Sequence, residues 1–146
     1  MKQSNLKSIS RWILRIHGIL LILLAFGNTF FSWNAMNSNL EGPFHFLFSN
    51  HAAEIGLLQA YLLMSLLGGV LIYGSLQSEF MIFDFLGIAA HLIPLVTLFV
   101  LKSTIIANMG QETILYSASI HCSFILVESF SILIQISTSK FIGVAA

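Results

Sequence analysis

Residues 52–73 read AAEIGLLQAYLLMSLLGGVLIY. Only Glu54 carries a charge in this run. A helix rises about 1.5 Å per residue, so a run of this length covers the ~30 Å hydrocarbon core of a bilayer. The run lacks the apolar–polar alternation of a membrane strand. It reads as a membrane-spanning helix, and the rest of the chain is read around it.

Three further runs have the same character. One covers about residues 12–31, with Arg15 and His17 near its start and Asn28 near its end. Another covers about 80–101 and holds Asp84 and His91. The last covers about 113–136 and holds His121 and Glu128. The 146 residues are 57% hydrophobic and 8% charged, with mean hydropathy +0.91. A water-soluble domain carries about 25% charged residues. Six acids and six bases do not solvate a surface of this size, so the solvent is lipid. The net charge of zero offers no basic footprint for nucleic acid. Cys122 is the single cysteine, which excludes an intramolecular disulfide and a multi-cysteine metal site within one chain.

Basic residues give the direction. Lys2, Lys7, Arg11 and Arg15 precede or open the first span and Lys140 follows the fourth, whereas Lys102 alone lies on the other side. The positive-inside rule then places both termini in the cytoplasm of a plasma-membrane protein. Arg15 snorkels to the interface. The first span also resembles a secretory signal by its basic start. Ser32-Trp33-Asn34-Ala35 is a poor cleavage site, however, and the span is expected to remain.

The connections are short enough to favour antiparallel neighbours. The expected fold class is therefore all-α: one transmembrane domain over 1–146, a four-helix bundle running up-down-up-down. The longest loop, 32–51, contains a turn at Gly42-Pro43 and an aromatic cluster from Phe44 to Phe48, expected at the headgroup level. The loop near 74–79 is short, and that near 102–112 is polar. Ala52, Gly56 and Ala60 form a small-residue face on the second helix; Ser65 and Gly69 continue that spacing, with Gly68 beside them. Small residues let helix backbones approach closely, here against another helix of the bundle or against a second copy. Pro94 is expected to kink the third helix.

Ionisable groups at membrane depth need partners or a water-filled space. Measured outward from the middle of each span, Asn28 falls at about +9 Å, Glu54 at about +12 Å and His121 at about +6 Å. His91 falls at about −1 Å, Glu128 at about −5 Å and His17 at about −7 Å. Two clusters follow: an outer one of Asn28, Glu54 and His121, and an inner one of His17, His91 and Glu128. His121, Glu128 and Gln135 are seven apart and share a helix face, as do Asp84 with His91 and Glu54 with Tyr61. Simpler readings stand beside these. His17 lies near enough to the interface to snorkel. Asp84 lies near enough to a helix start to cap it. Glu128 with His91 makes a structural pair.

Metal and cofactor motifs are weak. His51-x-x-Glu54 has i, i+3 spacing, but the duplicated Glu-x-x-His of ferritin-like di-iron bundles is absent. A b-type haem would take His91 with His17 or His121 as axial ligands. No metal ligand set is assigned and the cofactor is left open. Walker, dinucleotide, His-Glu-x-x-His and Gly-x-Ser-x-Gly motifs are absent.

Residues 51–61, HAAEIGLLQAY, and 83–91, FDFLGIAAH, resemble an uncharacterised group of small bacterial four-helix membrane proteins. In that group a Glu and a Tyr seven residues apart open the second helix and a His sits in the third. The resemblance implies the same topology and points to Glu54, Tyr61 and His91. It implies no activity, and the chain departs from the pattern in the fourth span.

The leading functional reading is a bundle that binds a small apolar or lipid-like ligand near Asn28, Glu54, Tyr61, His91, His121 and Glu128. The first alternative is an intramembrane enzyme or haem/redox module that uses His–Glu pairs to move protons. The second is a structural subunit that docks a partner or a second copy through the small-residue face. A channel or pump is the weakest reading, because four helices enclose little space.

Overall fold

A computed structural model describes residues 3–38, 44–48 and 50–143. The turn expected at Gly42-Pro43 lies outside the described residues. The described residues are helical and contain no strand. The helices are α1 (Gln3–Asn37), α2 (His51–Gly74), α3 (Met81–Val100), α4 (Lys102–Met109) and α5 (Gln111–Gly143), with a 3-10 turn at His45–Leu47. Four stretches are long and apolar enough to cross a membrane: Asn5–Asn37, His51–Gly74, Met81–Val100 and Gln111–Thr138.

The sequence underestimates the outer helices. α1 begins before residue 12 and continues past residue 31, and α5 likewise overruns 113–136 at both ends. Apolarity marks only the segment that lipid would solvate, while the backbone hydrogen bonding continues through Lys7 and Asn37. The polar loop expected at 102–112 is mostly the short helix α4. It ends at Gly110, whose φ of 84° lies in the left-handed region that glycine tolerates. The Asn50 side chain caps α2 by accepting from the Ala53 N–H at 3.2 Å. Pro94 lies inside α3, which is helical from Met81 to Val100.

α1 packs most extensively on α2, and α3 on α5; α1 joins the two pairs through α5. α2 and α5 do not touch among the described residues. The α1–α2 contact closes on two glycines. A Cβ at Gly18 would lie 2.5 Å from the Gly68 carbonyl oxygen, and one at Gly68 would lie 2.6 Å from that of Gly18. Beside them Leu14, Leu21, Leu71 and Phe80 form the apolar core, with Met64, Leu67 and Phe83 packed against it. The contact is made by Gly68, which lies beside the small-residue face expected on α2. Ala52, Gly56, Ala60 and Gly69 are exposed, and a Cβ at Gly56 or Gly69 would meet nothing within 4 Å.

The distribution of polarity is inverted. Among the described residues eleven polar or charged ones are buried against nine hydrophobic ones, while Leu62, Leu115 and Phe26 are about two-thirds or more exposed. An apolar exterior around a polar interior suits lipid as solvent. α1 shows both sides: Leu14 and Leu21 face α2, whereas Ser10 and His17 face α5. The aromatic segment 44–48 buries Leu47 completely, and its 3-10 turn contacts α1, α2 and α4. It closes one end of the bundle.

Candidate functional site: a chain of imidazoles and carboxyls

The interior between α1, α3 and α5 holds a continuous polar chain. On α5, His121, Glu128 and Gln135 recur every seven residues and line one face. On α3, Asp84 and His91 do the same. α1 inserts His17 between them. His17 Nδ1 bonds Glu128 Oε1. His17 Nε2 lies 2.7 Å from His91 Nε2, and His91 Nδ1 lies 2.8 Å from His121 Nδ1. Gln135 Nε2 donates to Asp84 Oδ2 at 2.6 Å and reaches Ser131 Oγ at 3.4 Å. Ser10 Oγ donates to the Ser131 carbonyl at 3.3 Å, tying α1 to α5 beside the chain.

His17, Asp84, His91 and Glu128 are all buried, and His121 is half-buried. Gly87 makes room for Glu128, since a Cβ there would meet its carboxyl at 3.2 Å. Phe124 stacks on His17 and on His91, with ring centroids 4.5 Å and 4.6 Å away. Phe124 and His17 both line an apolar groove of about 260 Å³ between α1 and α5, together with Ile13, Ile16, Leu20 and Val127.

Donor and acceptor counting restricts the protonation of this chain. A neutral imidazole has one N–H and one bare nitrogen. If Glu128 is ionised, His17 Nδ1 donates to it and His17 Nε2 accepts. His91 Nε2 must then donate, His91 Nδ1 accept, and His121 Nδ1 donate. If Glu128 is protonated on Oε1, every bond reverses. The two arrangements differ by one proton, which resides on His121 Nε2 or is absent. No ring is charged in either.

The carboxyls extend the chain. Asp84 and Glu128 lie near enough for each carboxyl to influence the other. Asp84 Oδ1 and Glu128 Oε2 are buried and have no donor. A carboxylate oxygen cannot supply a donor, so with both groups ionised the two oxygens stay unsatisfied, and a proton held by either carboxyl eases the like charge of the pair.

No family model matches the chain, and no curated protein or solved structure matches it either.

The structure regroups the residues singled out from the sequence. His91, His121 and Glu128 converge, but Asn28, Glu54 and Tyr61 do not join them. Glu54 is buried at the start of α2 and lies 3.7 Å from exposed His51. Tyr61 approaches Ser32 of α1. Asn28 is half-buried on α1. His121 belongs with the inner group, because helix offset brings it level with His91. Two simpler readings are corrected. His17 does not snorkel; it is the junction of the chain. Asp84 does not cap α3, whose N-cap is Phe80; it faces α5 and bonds Gln135. Glu128 pairs with His17 rather than with His91. Asp84, Gln135 and Ser131 complete the site, and the seven-residue recurrence on α3 and α5 is the sequence signal that points to the first two. His91 uses a different nitrogen for each neighbouring ring, so the imidazoles string out rather than surround a point. Among the described residues, no group of three or more His, Cys, Asp or Glu side chains is arranged to hold a metal ion.

Proposed function

We propose that the chain is a four-span plasma-membrane protein that relays protons along its buried imidazole–carboxyl chain. The carrying observation is the unbroken series His121–His91–His17–Glu128, continued by Asp84 and Gln135. From His121 to Gln135 it extends about 21 Å along α5, most of the ~30 Å hydrocarbon thickness.

The transfer balances. A proton binds His121 Nε2. The His121 Nδ1–H bond breaks as an N–H forms on His91 Nδ1. The His91 Nε2–H bond breaks as one forms on His17 Nε2, and the His17 Nδ1–H bond breaks as O–H forms on Glu128 Oε1. One proton enters, one carboxylate is neutralised and no imidazole is left charged. The carboxyl pair then releases a proton on the Asp84 side. Rotation about Cβ–Cγ leaves each proton on its own nitrogen, so the starting tautomers return by proton exchange with transient water between transfers. A hydrogen-bonded chain needs no water-filled pore, so the small interior of four helices is no obstacle.

Stability alone does not explain the chain. Interhelical hydrogen bonds in membrane proteins contribute about 0.6 kcal/mol each on average. Apolar packing replaces buried ionic groups at little or no cost in many proteins.

In the bilayer the helices run up-down-up-down with both termini in the cytoplasm. The pairings Gly18–Gly68, Asp84–Gln135 and His17–Glu128 support the alternation, and the basic N-terminal segment supports the direction. This topology agrees with the likeness to the small bacterial four-helix membrane proteins. A second reading keeps a small lipid-soluble ligand, housed in the α1/α5 groove where His17 reaches the lining. Proteoliposomes holding a pH-sensitive dye separate the two. The relay gives proton flux above that of empty vesicles without added ligand, and His91→Phe abolishes it. Flux equal to that of empty vesicles, or unchanged by His91→Phe, contradicts the relay.

A further inference from the structure

The other uncompensated chemistry lies at the N-terminal end of α1, away from the imidazoles. Lys7, Arg11 and Arg15 follow one another at four-residue spacing and share a helix face. With Ser8 and Trp12 they line a cleft of about 350 Å³. Both guanidiniums are held in place. Arg15 Nε donates to Ser75 Oγ at 3.0 Å, and its guanidinium lies 5.3 Å from the Trp12 ring centre. An Arg11 terminal nitrogen donates to the Gln77 carbonyl at 3.2 Å, and its guanidinium lies 5.3 Å from the Phe80 ring.

These bonds fix the cations without neutralising them. A guanidinium has five N–H donors, and the acceptors here are a hydroxyl and a carbonyl. Among the described residues the side chains that approach carboxyls within salt-bridge distance are His17 and His51, and no lysine or arginine does so. Arg11 Nε is buried and has no acceptor at all. Three cations, a hydroxyl and an indole therefore face one concavity. Guanidinium forks match phosphate oxygens, and a tryptophan beside them favours the headgroup level of a bilayer.

We propose that this cleft binds the phosphate of an anionic phospholipid in the cytoplasmic leaflet. The lipid bridges Lys7 and Arg11 to Arg15 and so braces the end of α2 that the two arginines grip. The site is independent of the proton relay; it rests on membrane insertion and, for the leaflet, on the proposed orientation. A free phosphate anion shares the same chemistry, so the test separates the sources.

The protein is reconstituted with equal amounts of phosphatidylglycerol and phosphatidylcholine of the same acyl chains, then released into native mass spectrometry. The wild type retains phosphatidylglycerol preferentially. Lys7→Gln lowers that preference about fivefold, the weight of one cation at an anionic surface. Lys7 is exposed and donates no hydrogen bond within the structure, so this variant keeps the fold; Arg15→Gln removes more but also frees α2. Inorganic phosphate does not displace the lipid. Equal retention of the two lipids, a Lys7→Gln variant that matches the wild type, or displacement by inorganic phosphate overturns the proposal.

Discussion

His17 is the residue on which the interior turns. One of its nitrogens meets a carboxyl and the other meets an imidazole, so it joins α1 to both α5 and α3. Glu128 is where the relay becomes acid–base chemistry. Glu128→Gln keeps a carbonyl to accept from His17 but cannot take up a proton. Proton flux into dye-loaded vesicles should fall to the background of empty ones, while circular dichroism stays unchanged. Glu128→Leu removes the acceptor as well and leaves His17 with a buried, unpaired N–H. It should cost about 1–3 kcal/mol in detergent unfolding experiments, more than Glu128→Gln. The sequence made His91, His121 and Glu128 legible because each sits mid-span, where a polar group needs a reason. It left His17 and Asp84 ambiguous because both lie near span ends. There snorkelling and capping explain a polar residue equally well, and only the packing of α1 and α3 on α5 decides.

At the scale of the element, the α1–α2 pair depends on backbone approach. Adjacent glycines on α2 make a matched comparison. A Cβ at Gly68 would collide with the Gly18 carbonyl, which belongs to a helix backbone that cannot move alone, whereas a Cβ at Gly69 would project into open space. Gly68→Ala should destabilise the protein by about 1–3 kcal/mol in thermal or denaturant unfolding. Gly69→Ala should be neutral or stabilising by up to about 1 kcal/mol, because alanine is the better helix former. Equal effects of the two substitutions would contradict the packing. The sequence offered a stripe of small residues on α2, and its spacing did not reveal which member meets α1. That depends on the partner's own glycine, and no pattern within one helix contains this information. The long runs on α1 and α5 were legible as helices, but their ends were not, because helical hydrogen bonding continues beyond the apolar core.

For the whole molecule, the apolar exterior and polar interior make four membrane crossings the natural arrangement. Direction is testable through two exposed serines at opposite ends, Ser38 after α1 and Ser78 between α2 and α3. In a Cys122→Ala background, a cysteine introduced by Ser38→Cys should react with an impermeant thiol reagent in intact cells. One introduced by Ser78→Cys should react only after permeabilisation. The reverse pattern would invert the topology, and equal labelling would remove the membrane between them. Composition alone made the four long apolar helices legible, since a chain so poor in charge reads as one that lipid solvates. The task of the interior was not legible to the same degree, because Asn28, Glu54 and Tyr61 are polar groups in apolar runs like His91 and His121 but make no bond to the imidazole chain among the described residues.

The account rests on one connected series of hydrogen bonds among three imidazoles, and solid-state nitrogen NMR reads it directly. With ¹⁵N-histidine in protein embedded in lipid bilayers, the relay predicts a through-space correlation between the Nε2 atoms of His17 and His91. It predicts a second between the Nδ1 atoms of His91 and His121, with one nitrogen of each pair protonated and the other bare. His91→Phe should remove both correlations together. Imidazoles without mutual correlation, or with nitrogen shifts of metal-bound rings, would contradict the chain and the proton relay built on it.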